Sequence, residues 1–487
     1  MNAKEVFGEI YCHKLPLERN SSMKDCSEKF LVIGAGPVGL ATGKAFKDAG
    51  IAYDQVDADT DVGGNWKHGV YASAHIISSK HTTEYADFPM PEDYPDFPSR
   101  QQMLAYLNSY ADAFHLRENI EFGTKVLMVL PRADELYEVE IAKTFELCID
   151  ATSGAELSKA ETKNEKRIYK GVAVCSGHHW QKRFPDYEGK FAGEYFHSKD
   201  YKSPAQLADK RVLVIGGGNS ACDVASEAAR VGRSCDLSLR RGYWFLPKTL
   251  FGKPTAESFM KYFPVAIQRF FIKSALRVVL GKYEDYGLPK PDHKIFERHP
   301  TLNSELLHYL KHGRIKPRPD VKRFEGKNAH FVDGTSNEYD TVICGTGFYV
   351  SFPFLPKNVV EVKNGNLAMV YAGCVLEKYK NLYILGTTQP RYGFGPLVTP
   401  SSQMLAQIIK LQNEMELPIG LVMKHSGIKL PDSHLVDPIS ALRQMKIARY
   451  TLPMLLKKEK KLRKKFAGKA NSPENMIFQS NSDMQVY

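Results

Sequence analysis

An α/β fold with two Rossmann-like domains, one inserted into the other, is predicted by two glycine-punctuated units and by the strand that follows the second. FLVIGAGPVGL (Phe30–Leu40) is an apolar run, with Phe30–Ile33 as a buried strand, whose glycines lead into an Ala-rich helix over Leu40–Ala49. RVLVIGGGNSACDVASEAARVG (Arg211–Gly232) repeats that order of strand, glycines and helix. YDTVICGTGF (Tyr339–Phe348) is one more buried strand, ending in Gly345 and Gly347.

In the first unit, Gly34 permits a tight turn, Gly36 lets the backbone approach a pyrophosphate, and Gly39 lets helix pack on strand. The helix N-terminus then faces the negative charge. A ribose-binding acid belongs at the end of the next strand, and IAYDQVDAD supplies Asp57 there. The spacing of strand, helix and acid describes a complete dinucleotide site.

The second unit carries Gly216, Gly218 and Ala221, alanine being an accepted third member. Its next strand ends in CDLSLRRGYW, with Arg240 and Arg241 where an acid would select NAD. A 2′-phosphate needs cationic, preferably bidentate partners, so NADPH is expected. Asn219 and Ser220 open the helix, placed either to cap it or to reach a cofactor.

Between the units lie a Pro-rich loop (Phe88–Pro98), a helix (Arg100–Phe114), and the alternating stretches LYEVEI and LCIDA. These two read as an antiparallel hairpin with a polar tip, Ser153–Lys166. After the second unit, Phe259–Leu280 reads as a long amphipathic helix with Lys261, Arg269, Lys273 and Arg277 on one stripe. KKEKKLRKK (Lys457–Lys465) continues the basic theme, and the net charge is +11 with a pI of about 9.0. That balance suits an anionic cofactor or an anionic membrane surface; nucleic acid is not expected, because no recognition helix or stacking platform accompanies the charge. The eight cysteines are scattered, without C-x-x-C or zinc spacing. They read as reduced thiols of a cytoplasmic protein, with no metal site. No spanning helix is expected.

FAGEYFHSKDY fits F-x-G-x-x-x-H-x-x-x-Y with Phe191, Gly193, His197 and Tyr201. With CSGHH (Cys175–His179), GGGNSACD, EDYGL and YDTVICGTGF in the same order, the chain resembles the flavin-containing monooxygenases, class B flavoprotein monooxygenases, from Phe30 to Ile409. The resemblance implies FAD in the first domain, NADPH in the second, O₂ as co-substrate and a flavin C4a-hydroperoxide as oxidant. Tyr201 stands where the Baeyer–Villiger branch typically has tryptophan, which favours oxygenation of amine nitrogen or sulfide sulfur on a small molecule. Gly63, Gly64 and Trp66 match the family's G-G-x-W near the flavin, and His197 would fix the motif's loop and the placement of the domains. Many relatives place an asparagine on the flavin's reactive face. Anchored on Ser78, Ser79 and Lys80, that position is Ile77, which leaves Ile77, Ser78 and Asn219 as the candidates facing the reaction.

The expected organisation is an arm over 1–29 and an FAD domain formed by 30–200 and 336–440. An NADPH domain spans 201–335, with a helical insertion at 250–300, and a basic helical tail follows at 441–487. Baeyer–Villiger oxygenation and an uncoupled NADPH oxidase remain as alternatives, and a homodimer is left open. A disulfide reductase would need a redox cysteine pair beside the flavin, which the sequence lacks.

Overall fold

The computed structural model describes residues 23–145, 161–258 and 262–467. Strand β1 (Lys24–Ile33) turns through glycines into helix α1 (Pro37–Ala49) and returns as β2 (Tyr53–Val56), parallel to β1. Pro37 at the first turn of α1 has no N–H to leave unpaired, and Gly50, at φ 67°, ends the helix. Helix α2 (Arg100–Ala113) starts at a Ser99–Gln102 capping box. The first sheet runs β3 (Ile120–Glu121), β2, β1, β6 (Glu161–Val174), β5 (Tyr137–Phe145), β4 (Thr124–Pro131). Its β3–β2–β1–β6 half is parallel, the β4–β5–β6 half antiparallel, and Leu382–Ile384 adds to β6 in parallel.

Two expectations change here. Lys24–Lys29 belongs to β1 rather than to an arm, because Lys24–Cys26 pair with Arg167–Tyr169 before a bulge leads to Phe30, while the side chains mostly face water. LYEVEI pairs with β6 in an antiparallel hairpin. Residues 147–151 and 153–160 lie outside the described residues, and Glu161–Lys166, read as tip, pair with β5. The outer half of β6 is held by cross-strand polar pairs such as Lys166–Glu138 (2.8 Å) and Asn164–Glu140 (3.1 Å). Without apolar alternation it does not read as a strand.

The second sheet is wholly parallel. Its order is β10 (Ile315–Arg318), β9 (Ser234–Ser238), β8 (Arg211–Ile215), β11 (Thr341–Cys344), β7 (Glu194–His197). Helix α3 (Asn219–Val231) connects β8 to β9. Strands β7 and β11 fall outside 201–335 yet lie in this sheet, so the cuts expected from the motifs do not coincide with the sheet boundary. The register Ile215↔Cys344 sets the two glycine turns at Gly216 and Gly345 side by side.

Within the insertion, α4 (Val265–Val279) is shorter than Phe259–Leu280. Pro264 fixes the N-cap at φ −53° and cannot extend the helix backwards. Lys261 lies outside the described residues. Arg269 turns inward to donate from Nε to the Ile295 carbonyl (2.7 Å), so the cationic stripe reduces to exposed Lys273 and Arg277. The basic segment near the C-terminus is two helices, Pro438–Thr451 and Met454–Ala467. The second is docked: Leu455 is buried in the core of the first domain, and Leu456, Leu462 and Phe466 pack beside it. Among the described residues no helix is long and apolar enough to cross a membrane.

One buried charge stitches the first sheet. Arg167 is fully buried and reaches both Glu121 oxygens (2.8 Å each) and Glu165 (2.8 Å). The Arg167 bond pulls the Glu121 carboxyl down to about 2. Removing the guanidinium leaves Glu165 without this partner and Glu121 with Lys143 alone (2.7 Å), so Arg167→Ala is expected to cost about 3 kcal/mol and to lower the melting temperature by several degrees. Glu121 contributes stability above the ordinary carboxylate range and loses it as pH falls toward about 2. Glu121→Gln should flatten that part of the acid profile; an unchanged profile would show that the pair contributes nothing net.

Candidate active site

The first glycine loop sits where β1 ends. Gly34 is held at φ +109°, and a Cβ there would stand 2.6 Å from the Cys175 carbonyl oxygen at the end of β6. At Gly39 a Cβ would overlap the Gly34 carbonyl. Gly36 differs: its φ is −80° and its nearest neighbour would be Gly64 Cα at 3.5 Å, an ordinary contact. Its missing side chain is therefore not required by the protein's own packing. Asp57 follows β2 and accepts from the backbone N–H groups of Ala35 (2.5 Å) and Asp59 (2.8 Å), while burial raises its pKa. Trp66 packs against the cluster containing Met103 and Leu107, and its carbonyl accepts from Arg100 Nε (3.0 Å).

The second loop repeats this build. Gly216 lies at φ +118°, with the Gly345 carbonyl oxygen 2.5 Å from where a Cβ would be. Around Gly218 a Cβ would meet nothing within 4 Å. The open side at Gly218 is the cradle a pyrophosphate would fill. The Tyr243 ring covers Gly217, whose carbonyl accepts from Thr301 Oγ1 (2.6 Å). Asn219 Oδ1 accepts from the Leu302 N–H (2.8 Å), and the Ser220 hydroxyl neighbours Tyr71. Arg240 is exposed. Arg241 lies over the Tyr243 ring (5.2 Å), and its Nε is buried with no partner. An orphaned guanidinium N–H at the end of β9 fits a phosphate. On these observations the first loop fits FAD and the second fits NADPH.

The residues of the F-x-G-x-x-x-H-x-x-x-Y motif are engaged with protein. Phe191 packs on Phe324 (5.4 Å between ring centres), and a Cβ on Gly193 would stand 2.5 Å from the Asp340 carbonyl oxygen. His197 is fully buried at the end of β7. Its Nε2 donates to the Gly347 carbonyl (2.9 Å) and its Nδ1 accepts from the Lys199 N–H (3.1 Å), a bonding pattern of one neutral tautomer. Burial lowers its pKa accordingly. Tyr201 is fully buried and donates to Glu227 of α3.

Several groups at this seam were not singled out by the sequence reading. Lys199 donates to Asn65 Oδ1 (2.6 Å) and lies over the Trp180 ring (3.8 Å); burial brings its pKa down to about 8. His178 donates from Nδ1 to the Gly386 carbonyl (2.8 Å) and meets His179 edge to face (4.2 Å between ring centres), and burial takes the His179 pKa down to about 3. Tyr71 and Ser73 bond Asp223 and Glu227 of α3. Two acids four residues apart within a helix of small residues were the available signal for these last partners.

Ile77 and Ser78 lie on the segment that follows. Ile77 packs against an apolar cluster that includes Leu246, Leu276 and Phe296, bordered by Trp244 and Tyr392. Ser78 Oγ pairs with Thr83 Oγ1 (2.7 Å). Trp244 and Tyr392 pack against the same apolar cluster as Ile77, whereas Phe245 lies in the core of the second domain.

The glycines separate structural from binding roles. Gly39→Ala is expected to give misfolded protein. Gly36→Val should fold but purify with little flavin, and Gly218→Val should keep its flavin and lose NADPH affinity about tenfold or more. Absorbance at purification and an NADPH titration read both. Normal flavin content in Gly36→Val, or normal NADPH binding in Gly218→Val, would remove the corresponding loop from the cofactor site.

Known proteins show the same organisation. The family model described as flavin-binding monooxygenase-like matches residues 27–426. Flavin-containing monooxygenase 5 of Homo sapiens is 33% identical over 432 residues, covering 80% of this chain and 78% of that one. Dimethylaniline monooxygenase (N-oxide-forming) 2 of Oryctolagus cuniculus is 32% identical over 412 residues, covering 79% and 74%. Among solved structures, S-allyl-L-cysteine S-oxygenase from Allium sativum shares the fold at 16% identity, with a TM-score of 0.60 over 94% of this chain and 98% of that one. Closed cyclohexanone monooxygenase does so at 16% identity, with 0.62 over 81% and 86%. With two dinucleotide loops of one build and a family match over most of its length, the chain belongs to the flavin-binding monooxygenase-like family and is a flavoprotein monooxygenase.

Proposed function

We propose that the enzyme uses NADPH and O₂ to oxygenate soft nucleophiles, an amine nitrogen or a sulfide sulfur, on small molecules. The observation that carries this reading is the pairing of the Gly36 and Gly218 loops with the unpartnered Arg241 N–H on the second. FAD at the first loop and NADPH at the second would supply the reducing equivalents and activate O₂. The chain's own part is to bind, orient and exclude water. Asp57 and the α1 N-terminus hold the first dinucleotide. Arg240 and Arg241 hold the 2′-phosphate of the second, and Asn219 and Ser220 stand at the opening of α3. Ile77, Ser78, Trp244 and Tyr392 border the reacting side with little polarity, which favours an uncharged nucleophile.

Arg241→Ala, alone and with Arg240→Ala, is expected to weaken NADPH far more than NADH. A charge-assisted contact contributes about 1.5–3 kcal/mol, or roughly tenfold in affinity or more. An unchanged NADPH/NADH ratio of kcat/KM would count against both arginines. In the same assay, amines and sulfides should yield N- and S-oxides with one NADPH consumed per product. Because Ile77 offers no hydrogen bond, some hydrogen peroxide should form when substrate is absent. Lactones or esters from ketones would establish the Baeyer–Villiger alternative, and peroxide as the sole product the oxidase.

The reading extends to an anionic membrane surface. Helix α4 exposes Phe270, Phe271, Val278 and Val279 beside Lys273 and Arg277, and Phe251 projects nearby in sequence at 83% exposure. Large apolar side chains flanked by cations are the makeup of an interfacial helix. The protein should co-sediment with anionic vesicles at low salt, and Phe270→Ser with Phe271→Ser should abolish this. Equal recovery of the double variant would return α4 to an ordinary solvated helix.

A further inference from the structure

Helix α3 is lined by small and apolar side chains, with Ala221, Cys222, Val224, Ala225 and Ala228 all fully buried. Down one side, at steps of four, run Asn219, Asp223 and Glu227. Each is taken up by a partner outside the helix. Asn219 accepts from the Leu302 N–H (2.8 Å). Asp223 accepts from Tyr71 OH (2.7 Å) and from Asn303 Nδ2 (2.7 Å). Glu227, 7% exposed, accepts from Ser73 Oγ and Tyr201 OH. No ion pair with a described residue neutralises Glu227; two hydroxyl donors hold it.

The partners come from different parts of the chain. Tyr71 and Ser73 lie on the first-domain segment that runs on into Ile76, whose N–H bonds the Pro98 carbonyl (3.0 Å), and into Ile77. Tyr201 closes the histidine motif, and its ring packs on Tyr71 (5.7 Å). Helix α3 itself begins at the Gly218 loop of the second domain. Hydroxyl–carboxylate bonds in a buried setting are short-range and directional. Two of them, spaced by one turn, fix both the rotation and the rise of α3 against the first domain.

We propose that Asp223 and Glu227 are positioning residues for hydride delivery: they hold the dinucleotide-bearing end of α3 in register with the first domain, so that the nicotinamide end of NADPH meets the flavin. The inference rests on the assignment of NADPH to the Gly218 loop. The step it governs is NADPH + FAD → NADP⁺ + FADH⁻, one hydride moving with its electron pair. Misplacement by about an ångström is enough to slow such a step by orders of magnitude. The hydrogen bonds of both acids go to Tyr71, Ser73, Tyr201 and Asn303, and none to the Gly216–Gly218 turn, Arg240 or Arg241, so adenosine-end binding is expected to be independent of the register.

The test uses the FAD-loaded full chain with Glu227→Ala, Glu227→Gln and Tyr71→Phe. Tyr71→Phe removes a single oxygen and stands in should Glu227→Ala fail to fold. Three readouts are taken: the anaerobic flavin reduction rate at saturating NADPH, the affinity for adenosine 2′,5′-bisphosphate, and amide exchange over residues 70–76. The expected result is a reduction rate about tenfold lower or more, with the isotope effect from C4-deuterated NADPH increased. Bisphosphate affinity should stay within about twofold, exchange over 70–76 should rise, and Glu227→Gln should recover part of the rate, since its amide oxygen still accepts. A reduction rate matching wild type in folded Glu227→Ala or Tyr71→Phe would overturn the inference. A parallel fall in bisphosphate affinity would also overturn it, by showing local damage to the second domain. If wild-type flavin is not reduced by NADPH at all, the cofactor assignment is what fails. The inference then falls with it.

Discussion

Both nucleotide loops depend on one steric constraint: a strand-end carbonyl pressed against a glycine in the left-handed half of φ space. Cys175 does this to Gly34, and Gly345 does it to Gly216. The approach is possible only because β6 and β11 run parallel to β1 and β8 and end in register with them, Ile33↔Val174 and Ile215↔Cys344. Once those ends are aligned, the turns must fold tightly. Helices α1 and α3 then point their N-termini over the carboxyl edges of the two sheets, where ligands of such sheets bind.

This constraint explains why the loops were legible in the sequence and much around them was not. A glycine at φ +109° or +118° has no substitute, so the chain must write it openly. Strand β11 also announces itself through apolar residues, but nothing in TVIC says which sheet it joins; the long-range pairing with β8 decides that. The polar half of β6 has no periodic signature, since charge pairs across the strand replace burial. Pro264 sets the start of α4, although the apolar periodicity runs on through it. The motif of Phe191, Gly193, His197 and Tyr201 was recognisable as a pattern. Its partners Gly347 and Glu227, distant in sequence, could only be seen once folded.

Several histidines at the seam between the domains are held neutral by burial. Burial keeps His179 and His299 neutral down to about 3 and about 4 respectively, and it lowers His178 and His197 as well. Lys199, brought to about 8, is the cation most affected. Neutral imidazoles accept and donate hydrogen bonds without adding charge of their own. That suits an enzyme whose redox cofactors carry the reactive charge themselves.

The last described helix interleaves two duties on alternate faces. Glu459, 1% exposed, accepts from the N–H groups of Glu416 (3.2 Å) and Leu417 (3.3 Å), and Leu455 inserts into the core. Lys457, Lys458, Lys460, Lys461, Lys464 and Lys465 point to water between these anchors. The anchors are constrained by packing and by otherwise unsatisfied amides, whereas these lysines make no hydrogen bond or ion pair with another described residue. Electrostatic character at this end of the molecule is therefore free to drift over evolutionary time, or to be rewritten by acetylation, without loosening the helix beneath it.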